Sequence, residues 1–162
     1  MQLKKGKIFR RADASRKLVW KVYDENKDDY FDFIAKQNSQ DLIQFIVSSR
    51  IMIELIKHLV TKENFRIKEI KFMEDDESLD NDVKELIRDV DNNSGLLIDL
   101  LDKLHCLSDD NSIDIKMIHV SKRVDGSSIV MYIQANGIVS IDPSHFNNEG
   151  QFITDIIGNM QW

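Results

Sequence analysis

The sequence predicts an α+β fold, in which an antiparallel sheet packs on long helices. Its C-terminal third alternates apolar and polar residues with the period of a strand. The same region contains Asp-Gly at 125–126 and Asn-Gly at 136–137, and these pairs favour hairpins because type I′ turns need positive φ at both central residues. Two earlier segments, about 39–62 and about 79–106, instead keep the apolar spacing of helices.

Each element is predicted from a local pattern. The run KLVWKVYD mixes β-branched and aromatic residues, which is typical of a strand. Asn38 or Ser39 can cap the first long helix, and Ser78 can cap the second. In chain order we expect a strand at 17–24, a short helix at 28–37, a long helix at 39–62, a strand at 65–73, a long helix at 79–106, a three-strand meander at about 113–142 and a closing helix at 148–160.

Length and composition are those of an ordinary folded domain. The chain has 162 residues, of which 42% are hydrophobic and 31% charged, so we expect residues 1–162 to form a single domain with a sizeable core. No run of about 18 apolar residues occurs, so no membrane span is expected. The N-terminus lacks an apolar signal core, and the single cysteine, Cys106, cannot form an internal disulfide. These features favour a cytoplasmic location.

Residues 1–21 are strongly basic, although the chain as a whole is acidic. They hold eight Lys or Arg and one Asp, a net charge of +7, so within the total of −6 the remaining residues carry −13. A basic N-terminal strand or arm attracts nucleic acid, because its cations bind phosphates and its aromatic rings stack on bases. It can equally lie against the protein's own acidic surface. The candidate nucleic-acid-binding residues are Lys4, Lys5, Lys7, Arg10, Arg11, Arg16, Lys17 and Trp20.

An apolar stripe runs through residues 79–107, which we call the 79–107 stripe. Its heptad phase continues across DNNSG, and this continuity favours one continuous or merely kinked helix, since Gly95 costs a helix only about 1 kcal/mol relative to Ala. The stripe can face the protein's own core or pair with a second copy of the chain. In such a pair, Asn93 would be a lone polar residue on the stripe and would fix the register of the two helices. The candidate interface residues are Leu79, Val83, Leu86, Val90, Asn93, Leu97, Leu100 and Leu104, with Leu107 continuing the stripe.

Candidate chemistry is sparse. Asp142 and His145 can meet across the turn at Pro143, where a cleft could hold a catalytic base; the simpler interpretation is a capping Asp and a surface His. The segment DVDNNSG (89–95) begins like a calcium loop but lacks the glycine at position 6 and the bidentate Glu at position 12. No phosphate-binding glycine motif and no metal-ligand spacing occurs. We therefore predict no metal, no cofactor and no catalytic residue.

Together these features favour a small cytoplasmic, non-enzymatic protein that acts in regulation through protein–protein contacts. We expect a homodimer that also binds a further protein, and no membrane partner. Nucleic-acid binding through residues 1–21 is the alternative. An enzyme whose site is not evident from the sequence is the third possibility.

Overall fold

The computed structural model describes residues 2–160 and has the predicted α+β architecture. Every strand pairing in it is antiparallel. The strands are β1 (Lys4–Arg11), β2 (Leu18–Tyr23), β3 (Leu42–Gln44), β4 (Arg66–Phe72), β5 (Ile115–Val124), β6 (Ser127–Gln134) and β7 (Ile138–Ile141). They lie side by side in the order β2-β1-β7-β6-β5-β4, and β3 also pairs with β1.

The helices lie on both faces of the sheet. They are α1 (Tyr30–Asn38), α2 (Ser49–Lys62), α3 (Glu77–Asn92), α4 (Leu97–Asn111) and α5 (Phe146–Gly158). The main core joins one face to α2–α5, and a smaller cluster joins α1 to the other face at the β1, β2 and β3 end. The rest of that second face, on β4, β5 and β6, carries none of these helices, and we call it the open face.

The predicted C-terminal meander is confirmed as β5, β6 and β7. Asp125 and Gly126 have φ of 48° and 81°, as a type I′ turn requires. The second turn differs from the prediction, because only Gly137, and not Asn136, has positive φ. Its hydrogen bond runs from the Gly137 N–H to the carbonyl of Gln134, so the turn begins earlier in the chain.

The first long helix begins ten residues later than predicted. Residues 42–44 form β3 beside β1, and Phe45, Ile46 and Val47 continue the strand-like alternation of buried and exposed side chains. Helix α2 then starts at Ser49, with the Ser48 hydroxyl accepting from the Ile51 N–H. The apolar residues of 42–47 are compatible with the spacing of a helix and with that of a strand. Pairing with β1 favours the strand.

The prediction of one helix through the 79–107 stripe is wrong. Helix α3 ends at Asn92, and Asn93 takes an extended conformation with φ −150° and ψ 102°. Its side-chain Oδ1 accepts from the Gly95 N–H, and one 3-10 turn at Ser94–Leu96 leads into α4. Asx turns of this kind compete with helical hydrogen bonding, so Asn93 separates two helices whose apolar phases agree.

Candidate functional site

The 79–107 stripe lies in the protein's own core. Its apolar side chains belong to the main core cluster, including the fully covered Leu100, and the polar Asn93 is exposed at the helix break. Most of the stripe is therefore covered by the protein's own core, and an interface through these residues stays a prediction. Leu86 and Val90 are half-buried, whereas Leu79, Val83, Leu97, Leu100, Leu104 and Leu107 are buried.

The basic N-terminal residues do not form a free arm. Residues 4–11 are β1, which lies between β2 and β7, so strand alternation sends neighbouring cations to opposite faces of the sheet. Lys5 and Arg10 are half-buried, and Lys5 donates to Glu25 at 2.8 Å. The remaining exposed cations are Lys4, Arg11, Arg16 and Lys17. The predicted nucleic-acid residues therefore lie partly on the two faces of the sheet and partly in its core, and nucleic-acid binding through them stays a prediction.

Lys7 is fully buried, which the sequence did not indicate. Its Nζ donates to the carbonyl of Asn136 and lies 5.8 Å from the ring centres of both Phe9 and Tyr30. Burial lowers the pKa of Lys7 from 10.5 to about 8. A cation held this way braces α1 against the sheet and is not available to bind phosphate.

Trp20 is half-buried and packs against the main core. Its indole fills the space between Gly6 of β1 and Gly150 of α5, with the ring centre 5.8 Å from that of Phe146. The two glycines are needed because a Cβ at either position would come within 3.0 Å of the indole.

Asp142 and His145 meet across the Pro143 turn, as the sequence suggested they could. The Oδ2 of the buried Asp142 lies 2.6 Å from Nδ1 of His145, and its Oδ1 accepts from the Val130 N–H at 2.8 Å. The Asp142 side chain thus extends the pairing between β7 and β6 and fixes the start of α5. Neither residue lines the cleft beside Val22 or the groove on β4, β5 and β6. The contacts are those of a structural brace.

Replacing Asp142 by Ala should lower the free energy of unfolding by about 2 kcal/mol, because the Val130 N–H and the His145 ring lose their partner. The conservative change Asp142→Asn keeps an acceptor for Val130 and should cost less. Urea unfolding of both variants measures the difference. A stability equal to wild type in Asp142→Ala would show that the brace contributes nothing.

Cys106 and the calcium-like segment 89–95 lie on the surface. Cys106 is exposed, and a hydrogen bond with Asp110 raises the pKa of its thiol, which disfavours the nucleophilic thiolate. Residues 89–92 of the calcium-like segment complete α3, and between residues 2 and 160 no three His, Cys, Asp or Glu side chains are grouped to hold a metal ion.

Two surfaces that sequence reasoning missed remain. The first is the edge of the sheet at β2, where Val22 is 61% exposed beside a cleft of about 600 Å³ that reaches Phe146. The second is a groove of about 660 Å³ on the open face, which we call the basic groove. It is lined by four cations, Arg66, Lys68, Lys122 and Arg123, together with polar side chains that include Ser121 and Ser128.

The fold and these surfaces define an α+β protein with a free sheet edge and a cationic groove. Comparisons of the chain with protein-family models, curated proteins and solved structures found no match. Over residues 2–160, no helix has the length and apolar character needed to cross a bilayer.

Proposed function

We propose that this protein is a regulatory binding protein that acts through protein–protein contacts as a homodimer joined at β2, and not as an enzyme. The observation that carries the proposal is the unpaired outer edge of β2 with the exposed Val22. The single cysteine supports placing it in the cytoplasm.

The hydrogen-bond register shows which groups of β2 point outward. The Arg11 N–H donates to the carbonyl of Lys17, and the β1–β2 register continues from that pair with every second residue hydrogen-bonded. The backbone groups of Leu18, Trp20 and Val22 therefore point away from β1. Within residues 2–160, no backbone hydrogen bond from another segment engages them.

The opposite edge, β4, is protected in ways that β2 is not. Its register with β5 is interrupted by two irregularities, and its exposed side chains include Arg66, Lys68 and Lys71. Bulges and cations of this kind prevent a strand edge from pairing with another chain. The β1–β2 register is regular from Lys5 to Arg10, so β2 is the edge suited to accept a further strand.

A second copy of the same strand fits this edge. If a two-fold axis passes at Trp20, antiparallel pairing sets Val22 opposite Leu18 of the partner subunit, which would cover the exposed valine. Arg16 and Asp24 flank β2, each four residues from Trp20, so the same two-fold axis would bring the end of the strand that carries the cation near the partner's end that carries the acid. An interface that is complementary to itself is what a closed dimer requires.

Replacing Val22 by Asp should convert a dimer into a folded monomer, because the carboxylate would be buried against apolar side chains without a partner. Ile98→Asp is the matched control, since Ile98 is 59% exposed and Val22 61%, but Ile98 lies on α4. We expect wild type and the control to have twice the 18.9 kDa chain mass in light scattering at tens of micromolar.

Circular dichroism melts should show that both variants remain folded. A monomeric wild type at that concentration, or a folded Val22→Asp protein that stays dimeric, would refute dimerisation through β2.

A further inference from the structure

We infer that the basic groove on the open face binds an acidic peptide segment of a partner protein. The inference deepens the proposed binding function by naming the chemistry of the partner. The groove lies on β4, β5 and β6, whereas the proposed dimer forms at β2. The two proposals can therefore fail separately.

The charge of the groove is the first argument. The chain as a whole carries −6, yet among the described residues that line the groove none is acidic and four are Lys or Arg. Lys68 and Arg123 are exposed and, within residues 2–160, take part in no ion pair. Arg66 reaches Asp91 only at 4.0 Å, and both side chains are partly exposed. Such a surface ion pair contributes little to stability, so an anion that binds Arg66 more closely can replace Asp91.

The strand register arranges these groups in rows. Arg66 pairs with Ser121 across β4 and β5, and Arg123 pairs with Ser128 across β5 and β6. Ser121 and Arg123 are two residues apart on one strand, so the rows are about 6.6 Å apart. An extended peptide has the same spacing between alternate side chains, and two carboxylates of such a peptide can therefore meet both rows. The serine hydroxyls can donate to the same anions.

Two features favour a peptide over nucleic acid. Proteins bind single strands by stacking bases on aromatic side chains, but His119 and Tyr132 stack on each other here, with ring centres 4.1 Å apart. The strongly acidic helix α3 packs beside β4, with Asp91 near Arg66 at the side of the groove. The negative charge of that helix opposes the long phosphate backbone of a nucleic acid more than it opposes a peptide short enough to stay within the groove.

The test is fluorescence anisotropy of labelled decaglutamate with the full chain at low salt, with a labelled ten-residue uridine oligonucleotide as the comparison probe. The groove variant replaces Arg66, Lys68 and Arg123 by Gln. The matched control replaces Lys36, Lys57 and Lys62, which are exposed on α1 and α2, by Gln. Both variants change the net charge equally, and thermal melts establish that each is folded.

We expect wild type to bind decaglutamate, the groove variant to bind it about tenfold more weakly or worse, and the control variant to match wild type. Val22→Asp should bind like wild type, because β2 lies outside the groove. Absence of decaglutamate binding, equal weakening in both charge variants, or tighter binding of the oligonucleotide through the same cations would each overturn the inference. The last outcome would make the groove a nucleic-acid site.

Discussion

Replacing Gly150 by Ala should destabilise the protein by about 3 kcal/mol, toward the upper end of the cost of overpacking a core. A Cβ at this position would lie within 3.0 Å of the Trp20 indole. The ring cannot move away freely, because Gly6 of β1 holds it from the other side and Phe146 lies beside it. The added methyl group must therefore displace α5 from the sheet. The free energy of unfolding in urea measures the loss.

The same helix supplies the control. Gly158 is exposed at the end of α5, and a Cβ there would meet only Leu18 at an ordinary 4.0 Å. Gly158→Ala should be neutral or stabilise by up to about 1 kcal/mol, because Ala is the better helix former. Trp20→Phe should reduce the cost of Gly150→Ala, since the smaller ring leaves room. A Gly150→Ala protein as stable as wild type would show that Trp20 is not confined between the two glycines.

The stability of the protein should rise between pH 8 and pH 10.5 through Lys7. The pKa of Lys7 is lowered from 10.5 to about 8 by burial, so in this window the unfolded chain binds a proton that the folded chain does not. Stability increases with pH wherever the unfolded state binds more protons. Below pH 8 the buried charge therefore destabilises the fold, and each pKa unit corresponds to about 1.4 kcal/mol. The gain across the window is on the order of 3 kcal/mol.

Lys7→Met isolates this effect, because methionine fills similar space without a titrating group. The free energy of unfolding of wild type, minus that of Lys7→Met, should increase by on the order of 3 kcal/mol from pH 7 to pH 10.5. Lys17→Met is the control, since it makes the same substitution at an exposed position. Denaturant unfolding across this range gives the difference. A difference that does not change with pH would mean that the Lys7 ammonium stays hydrated in the folded protein and that burial does not lower its pKa.

The sequence by itself determined the elements whose signals are local. The Asp-Gly turn at 125–126, the alternation in β5 and β6, and the β-branched and aromatic content of β2 each depend on a few adjacent residues. Turn geometry and strand period need no distant partner. The contact between Asp142 and His145 is of the same kind, because only Pro143 and Ser144 lie between them.

Only the tertiary structure decided where apolar and charged faces lie. Residues 42–47 have a pattern compatible with helix or strand, and β1 had to be beside them before a strand was favoured. The 79–107 stripe kept its phase across Asn93, so periodicity could not reveal the break or say that the core would cover both helices. Lys7 is buried, and Val22 exposed, because of where β1 and β2 lie in the strand order. That order arises from pairing between residues far apart in the chain, which no local pattern specifies.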